Sequence, residues 1–343
     1  MSSPLGYRFS SSRTANRLVA GVPAAARLAK AHLAALPGTP LLLVLGDSGT
    51  IAPLTGAEIT RLAPGLVVEL SAPAKVTLLP GEALPDAAMI LAVQAGLAAV
   101  PEQPADPEMA LRKAATAIVR STAKPGDGMI SRHCNRPLSQ AASAALLRFG
   151  WIRPGHATLL TLLTALVMLA SLLTGTPGGL VAGAVLFQIA SVVDGIDGEI
   201  ARATFRSSKA GASLDSVIDA FTNVAFLAGA GCNFWMQGRA EDALVGMGAA
   251  AVMATGLAIL GSSAFRREGI VHFDGAKRIQ EQAGSPNARL LKDLTSRDFY
   301  CFALLVAALA GVLDVALKVF LAAVIVWLVA IISLLSAQAS GQE

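Results

Sequence analysis

The sequence predicts an α-helical integral membrane protein of six transmembrane helices preceded by a small soluble α/β domain. Three observations carry that expectation. The 343 residues are 54% hydrophobic and only 15% charged, against the roughly 25% charged residues of an average soluble domain. The bias is uneven, because residues 1–150 are mixed whereas residues 151–343 alternate long apolar runs with short charged loops. Four aspartates of the apolar part gather in one stretch, "VVDGIDGEIARATFRSSKAGASLDSVIDAF" (192–221), where carboxylates are costly unless they serve a function.

In the first part, "PLLLVLG" (40–46), "GLVVEL" (65–70), "AKVTLL" (74–79) and "AMILAV" (88–93) predict short buried strands. Apolar helical periodicity predicts helices over 17–36 and 107–122. Strands alternating with helices make a small α/β sheet over residues 1–123. "LGDSGT" (45–50) follows a strand but has neither GxGxxG nor a GK[ST] ending, so it predicts a turn rather than a phosphate loop. The opening "MSSPLGYRFSSSRTANR" lacks the apolar core of a signal peptide, and none is expected. Residues 124–150 predict a hinge at Pro125, Gly126 and Gly128. An interfacial juxtamembrane helix follows, with Arg132, Arg136 and Arg148 at headgroup level.

Residues 151–343 hold the expected spans. No charge occurs between Ala157 and Val193, and "TGTPGG" (174–179) breaks that run into two. Four more fall near 213–236, 243–265, 297–313 and 318–337, each approaching the roughly 20 residues that a bilayer requires. Arg202, Arg206 and Lys209 follow the second span, and Arg266, Arg267, Lys277, Arg278, Arg289, Lys292 and Arg297 follow the fourth. The opposite loops carry little besides Arg239 and Lys318. This bias places the soluble domain, the basic loops and the aspartates on the cytoplasmic face of an inner or plasma membrane. The net charge of +4 concentrates there, toward anionic headgroups or phosphorylated substrates. Cys134, Cys232 and Cys301 are too scattered for a disulfide framework or a CxxC metal site.

Asp194 and Asp197 are spaced i,i+3, and Asp215 and Asp219 i,i+4, so each pair shares one helical face. The first pair ends one span and the second begins the next, so all four converge. Two carboxylates about 4 Å apart repel by about 4 kcal/mol at an effective dielectric near 20, which calls for protonation or a divalent cation. An all-oxygen set without His or Cys favours Mg2+, Mn2+ or Ca2+. Four carboxylates on two rigid helices suit a two-metal phosphoryl-transfer site. Gly195, Gly198, Ala201 and Gly211 bare the neighbouring helix surface for a substrate, and Arg202 suits a phosphate oxygen.

The pattern "DGIDGEIAR" (194–202), eight further residues and "GASLDSVID" (211–219) resembles the signature of CDP-alcohol phosphotransferases without a missing position. The resemblance extends over about 130–337 and implies a dinuclear Mg2+ or Mn2+ site. It implies Asp194, Asp197 and Asp215 as metal ligands, and Asp219 as both ligand and general base. Gly198, Ala201, Arg202 and Gly211 would line the pocket of the CDP-alcohol donor. The family's Pro-Asn-x-x-Thr reads "PGHAT" here, with Gly155 replacing the Asn and Thr158 retained. The first domain resembles the nucleotidyltransferase-like domain fused to some relatives, notably those making inositol phosphodiesters. Its glycine-rich, Thr-Arg-containing nucleotide loop is missing, with nothing upstream of Arg17 to supply it, so a catalytically dead domain is expected.

The expected reaction moves a substituted phosphate from a CDP-alcohol onto an alcohol or polyol-phosphate acceptor and releases CMP. Arg266, Arg267, Lys277, Arg278 and Arg297 suggest a basic acceptor pocket, for inositol phosphate or glycerol phosphate, with Arg266 and Arg297 foremost. Isolated His133, His156 and His272 offer no nucleophile constellation. Membrane lipids and a second copy in a homodimer are expected partners, and nucleic acid is not. The rival readings are a divalent-cation transporter, which favours midplane ligands and repeats, and a dead membrane scaffold.

Overall fold

The structure, a computed structural model, describes residues 4–71, 75–124, 126–269, 271 and 296–340. It divides into two compact units. One contains Met1–Ala123, Ala142–Ile152 and Glu199–Arg206, and the other Lys124–Ala141, Arg153–Gly198 and Ser207–Glu343.

In chain order the first unit holds β1 (Leu5–Phe9), α1 (Ser12–Asn16), β2 (Leu18–Val19), β3 (Val22–Pro23), α2 (Ala24–Ala35), β4 (Leu41–Leu45), α3 (Pro53–Leu62), β5 (Val68–Glu69), β6 (Thr77–Pro80), α4 (Ala87–Gln94) and α5 (Pro107–Ser121). The sheet is parallel in the order β5-β4-β1-β6, with Tyr7 opposite Leu43 on one side and Leu79 on the other. The sequence reading did not include β1, which is nevertheless central. Its Tyr7 and Phe9 are fully buried, and the Tyr7 hydroxyl meets His32 Nδ1 on α2 at 2.9 Å.

Two local expectations are corrected. "AMILAV" lies in helix α4, not in a strand. A short apolar run fits either element, and Asp86 decides the matter by accepting from Met89 N as N-cap. The helix expected over 17–36 begins only at Ala24. Before it, β2 and β3 form an antiparallel hairpin turning at Ala20 and Gly21, with φ of 45° and 80°. Two positive φ values are what a tight two-residue hairpin turn requires.

The second unit carries the long helices. A π-helical turn, Ser131–Asn135, leads into α6 (Arg136–Leu146). Then come α7 (Pro154–Leu172), α8 (Pro177–Ala203), α9 (Lys209–Met236), α10 (Ala240–Glu268), α11 (Arg297–Leu309) and α12 (Leu313–Ser340). Five of these, α7, α8, α9, α10 and α12, are long and apolar enough to cross a membrane. Of the six expected spans, the one near 297–313 is represented by α11, with 13 residues. At 1.5 Å per residue it is about 20 Å long, against a hydrocarbon core of roughly 30 Å. The core includes Phe187 stacked on Phe226 with ring centroids 4.2 Å apart. Gly231 and Gly246 let α9 and α10 touch, since a Cβ on Gly246 would meet Gly231 Cα at 2.8 Å. Such small residues drive close packing of membrane helices.

The last turn of α8 lies in the first unit and ends in a Schellman arrangement. Phe205 N donates to Arg202 O (3.3 Å) and Arg206 N to Ala201 O (2.8 Å), with Phe205 left-handed at φ 55°. A side chain in that conformation costs roughly 1–2 kcal/mol, so something must hold Phe205 there.

Candidate active site

Asp194 and Asp197 lie on α8, and Asp215 and Asp219 on α9, as the helical spacing requires. Asp194 interacts electrostatically with both Asp215 and Asp219, and Asp197 with Asp215. Asp197 is buried at 8% exposure and accepts from Thr158 Oγ1, one turn into α7. A Cβ at Gly155, three residues earlier, would meet nothing within 4 Å. Gly195 lies against α6, where an added Cβ would touch Ser139 Oγ at 3.2 Å and Arg136 Nη1 at 3.3 Å. A side chain there would make Ser139 and Arg136 give way by a few tenths of an ångström.

Arg297, at the first turn of α11, reaches this cluster. Its Nη1 donates to Asp219 Oδ1 and lies 3.3 Å from Asp194 Oδ2. Among the described residues, Arg297 Nε and Nη2 and Asp194 Oδ1 are buried without a hydrogen-bond partner. Buried orphans of this kind are rare and point to a ligand. Two cationic donors suit an anion, and a carboxylate oxygen suits a cation. Among the described residues no group of three or more His, Cys, Asp or Glu side chains is arranged to hold a metal ion as it stands. The residue chemistry nevertheless fits hard divalent cations: all donors are carboxylate oxygens, and one buried oxygen is unsatisfied.

The other expected site residues lie on several elements. Gly211 is exposed in the first turn of α9, its N–H donating to Ser208 Oγ at 3.0 Å. Gly198 is half-buried on α8. Ala201 and Arg202 belong to the first unit, where Arg202 Nε donates to Thr122 O at 2.8 Å. Arg266 lines a cavity of about 320 Å³ with Ser262, Ser263, Arg267, Ile259 and Leu335. Lys277, Arg278, Arg289, Lys292 and His272 lie outside the described residues. Arg136 of the juxtamembrane helix makes a bidentate pair with Asp127 at 2.7 and 3.1 Å. Burial pushes the Asp127 carboxyl up, but Arg136 together with Lys124 outweighs it and holds the group below the usual carboxylate range.

Sequence reasoning missed a polar network beside Arg297. Asn135 Nδ2 donates to Ser191 Oγ (3.2 Å) and Asp298 Oδ1 (2.9 Å), Ser191 Oγ donates to Asp298 Oδ1 (2.7 Å), and Gln188 Nε2 donates to Asn135 Oδ1 (2.7 Å). It ties the start of α11 to α8 and to the π turn. The available signal was Asp298 beside Arg297 in "SRDF".

Fold and site together define a helical membrane protein with an acidic site on two consecutive helices and an arginine on it. Residues 151–335 match the family model described as CDP-alcohol phosphatidyltransferase, and the chain belongs to that family. Three similar proteins are each named "Bifunctional IPC transferase and DIPP synthase". That of Thermococcus kodakarensis is 38% identical over 119 residues, 34% of this chain and 26% of the relative. That of Archaeoglobus fulgidus is 41% identical over 120 residues, 34% of this chain and 23% of the relative. That of Aquifex aeolicus is 42% identical over 118 residues, again 34% and 26%. The matched region thus spans about a quarter of each relative's length.

Proposed function

We propose that this chain transfers a substituted phosphate from a CDP-alcohol to a polyol-phosphate acceptor of the inositol-phosphate type, releasing CMP. The observation that carries this reading is the buried cluster in which Asp194 Oδ1 and two Arg297 nitrogens lack partners among the described residues, in a chain of this family. Asp194, Asp197, Asp215 and Asp219 would hold two Mg2+ or Mn2+ ions, whose positive charge offsets that of the diphosphate and the leaving CMP. Asp219 takes the acceptor hydroxyl proton, the acceptor oxygen bonds to the β-phosphorus, and the bond from that phosphorus to the CMP oxygen breaks. Asp219 is ion-paired with Arg297. An acceptor phosphate that draws the guanidinium to itself frees the carboxylate to act as base. Gly198, Ala201, Arg202 and Gly211 serve the CDP side, and Arg266 and Arg297 the acceptor. In this reading α11 completes six spans, the chain works as a homodimer among membrane lipids, and the aspartates face the cytoplasm. Family membership favours transfer over cation transport.

The α/β domain is proposed to be catalytically silent. The segment between β1 and Arg17 contains no glycine, and the protein's own carboxylates bind its backbone and hydroxyl groups. Glu82 accepts from Ser10 N (2.6 Å), Ser10 Oγ (2.7 Å) and Thr14 Oγ1 (2.8 Å), and Asp47 from Ser12 N (2.9 Å) and Ser12 Oγ (2.8 Å). Backbone N–H groups that would cradle a phosphate are thereby taken by anions of the chain itself.

The test is CMP release by the purified full chain, given a panel of CDP-alcohols with and without inositol phosphate or glycerol phosphate. Acceptor-dependent CMP release is expected. Absence of release with every pair would contradict the reading.

A further inference from the structure

Residues Glu199–Arg206, which connect the Asp194–Asp197 helix to the Asp215–Asp219 helix, belong to the compact unit built on the α/β domain. The contacts that hold them are specific. Arg27, buried at 9% exposure, donates through Nη2 to Ala203 O (2.6 Å) and Ala20 O (2.9 Å), and through Nε to Val19 O (2.7 Å). Arg61 donates to Thr204 O (2.9 Å) and Phe205 O (3.2 Å), so two arginines take three consecutive carbonyls. Glu58 pairs with Arg61 (2.6 Å) and with Arg206. Ser143 donates to the buried Glu199 carboxylate (2.6 Å).

Helix ends leave carbonyls without partners and carry partial negative charge, which arginines complement. Here the arginines come from α2 and α3. Phe205, left-handed where glycine is usual, lies under Arg27 and Lys30, with its ring centre 5.2 and 5.0 Å from their charges. Gly21 at the hairpin turn seats against the same segment, since a Cβ there would stand 2.9 Å from Thr204 Cγ2. The hairpin, α2 and α3 therefore converge on eight residues that carry no proposed metal ligand but separate the two ligand pairs.

We infer that the α/β domain clamps the connection between the two halves of the aspartate motif, with Arg27, Glu58 and Arg61 as positioning residues that fix how the two pairs face each other. The clamp is read from geometry alone; its catalytic consequence rests on the transferase reading above.

The test uses the full chain in detergent with Arg61→Ala, Glu58→Gln and Arg61→Lys, read by hydrogen–deuterium exchange and by CMP release. Loss of hydrogen bonds from a charged donor should speed exchange of the Thr204, Phe205 and Arg206 amides by about tenfold or more in Arg61→Ala. The kcat for CMP release should fall while KM for the CDP-alcohol stays within roughly twofold. Arg61→Lys, which keeps a cation at the carbonyls, should recover part of both. Glu58→Gln frees Arg61 and Arg206 from their shared anchor and should show the same pattern if Arg61→Ala does not fold. Unchanged exchange at 204–206 would overturn the clamp whatever the activity. Faster exchange with unchanged kcat per folded molecule would overturn the positioning role. Absence of CMP release in the wild-type chain would instead refute the transferase reading, leaving exchange to decide the clamp.

Discussion

Replacing Thr158 with Val tests whether Asp197 is a metal ligand. The two side chains are nearly the same shape, and Thr158 is buried at 6% exposure, so the variant opens no cavity. It removes the hydroxyl that donates to Asp197 Oδ2. A hydrogen bond to a charged group is worth about 1.5–3 kcal/mol. If that hydroxyl orients a ligating carboxylate, its loss should weaken ion binding by about 10–100-fold, the usual cost of removing a partner behind a metal ligand. The assay is CMP release titrated with Mg2+. Half-maximal activation should move to roughly 10–100-fold higher Mg2+, with the rate at saturating metal largely restored. An unchanged midpoint would refute the reasoning and remove Asp197, or its hydrogen bond, from the metal site.

Asp219→Asn should still bind the CDP-alcohol but lose transfer by about 10²–10⁴-fold; joint loss of donor and metal binding would make Asp219 a ligand only. The full chain should consume no CTP with any sugar or polyol phosphate, because Glu82 and Asp47 occupy the loop after β1; CDP-alcohol synthesis from CTP would overturn this. Burial pushes the Glu82 carboxyl up, but hydrogen bonds from Ser10, Gln103 and Thr14 outweigh it and hold it below the usual range. A depressed carboxylate stabilises fully above its unfolded value, about 4.3, and loses that contribution as pH falls through the folded value. Thermal unfolding of the wild type should therefore lose more on acidification below about pH 4.3 than Glu82→Gln does; parallel pH profiles would contradict it.

The aspartate pairs were legible because both spacings are local and helical, and α8 and α9 bear them as read. For Arg297 only its place at the start of a helix was legible; its pairing with Asp219, 78 residues away, was not. What stayed hidden depends on contacts between distant parts of the chain. β1 is five residues with Gly6 and Arg8 in it, and its central place follows from pairing with β4 on one side and β6 on the other. The partnership of Thr158 with Asp197 spans 39 residues, and that of Arg27 with Ala203 spans 176. "AMILAV" was misread although Asp86 stood at the cap position, because apolar runs that short carry no period. The turn at Ala20–Gly21 was absorbed into a helical pattern, since alanine-rich sequence on both sides masks two residues at positive φ.

The measurement closest to the central claim is CMP release from a CDP-alcohol by metal-stripped protein, before and after addition of Mg2+ or Mn2+, in the wild type and in Asp215→Asn. The wild type should be inactive when stripped and recover with either ion, while the folded variant should stay inactive at every metal concentration. A full rate in the stripped wild type, or wild-type turnover by Asp215→Asn, would contradict the account.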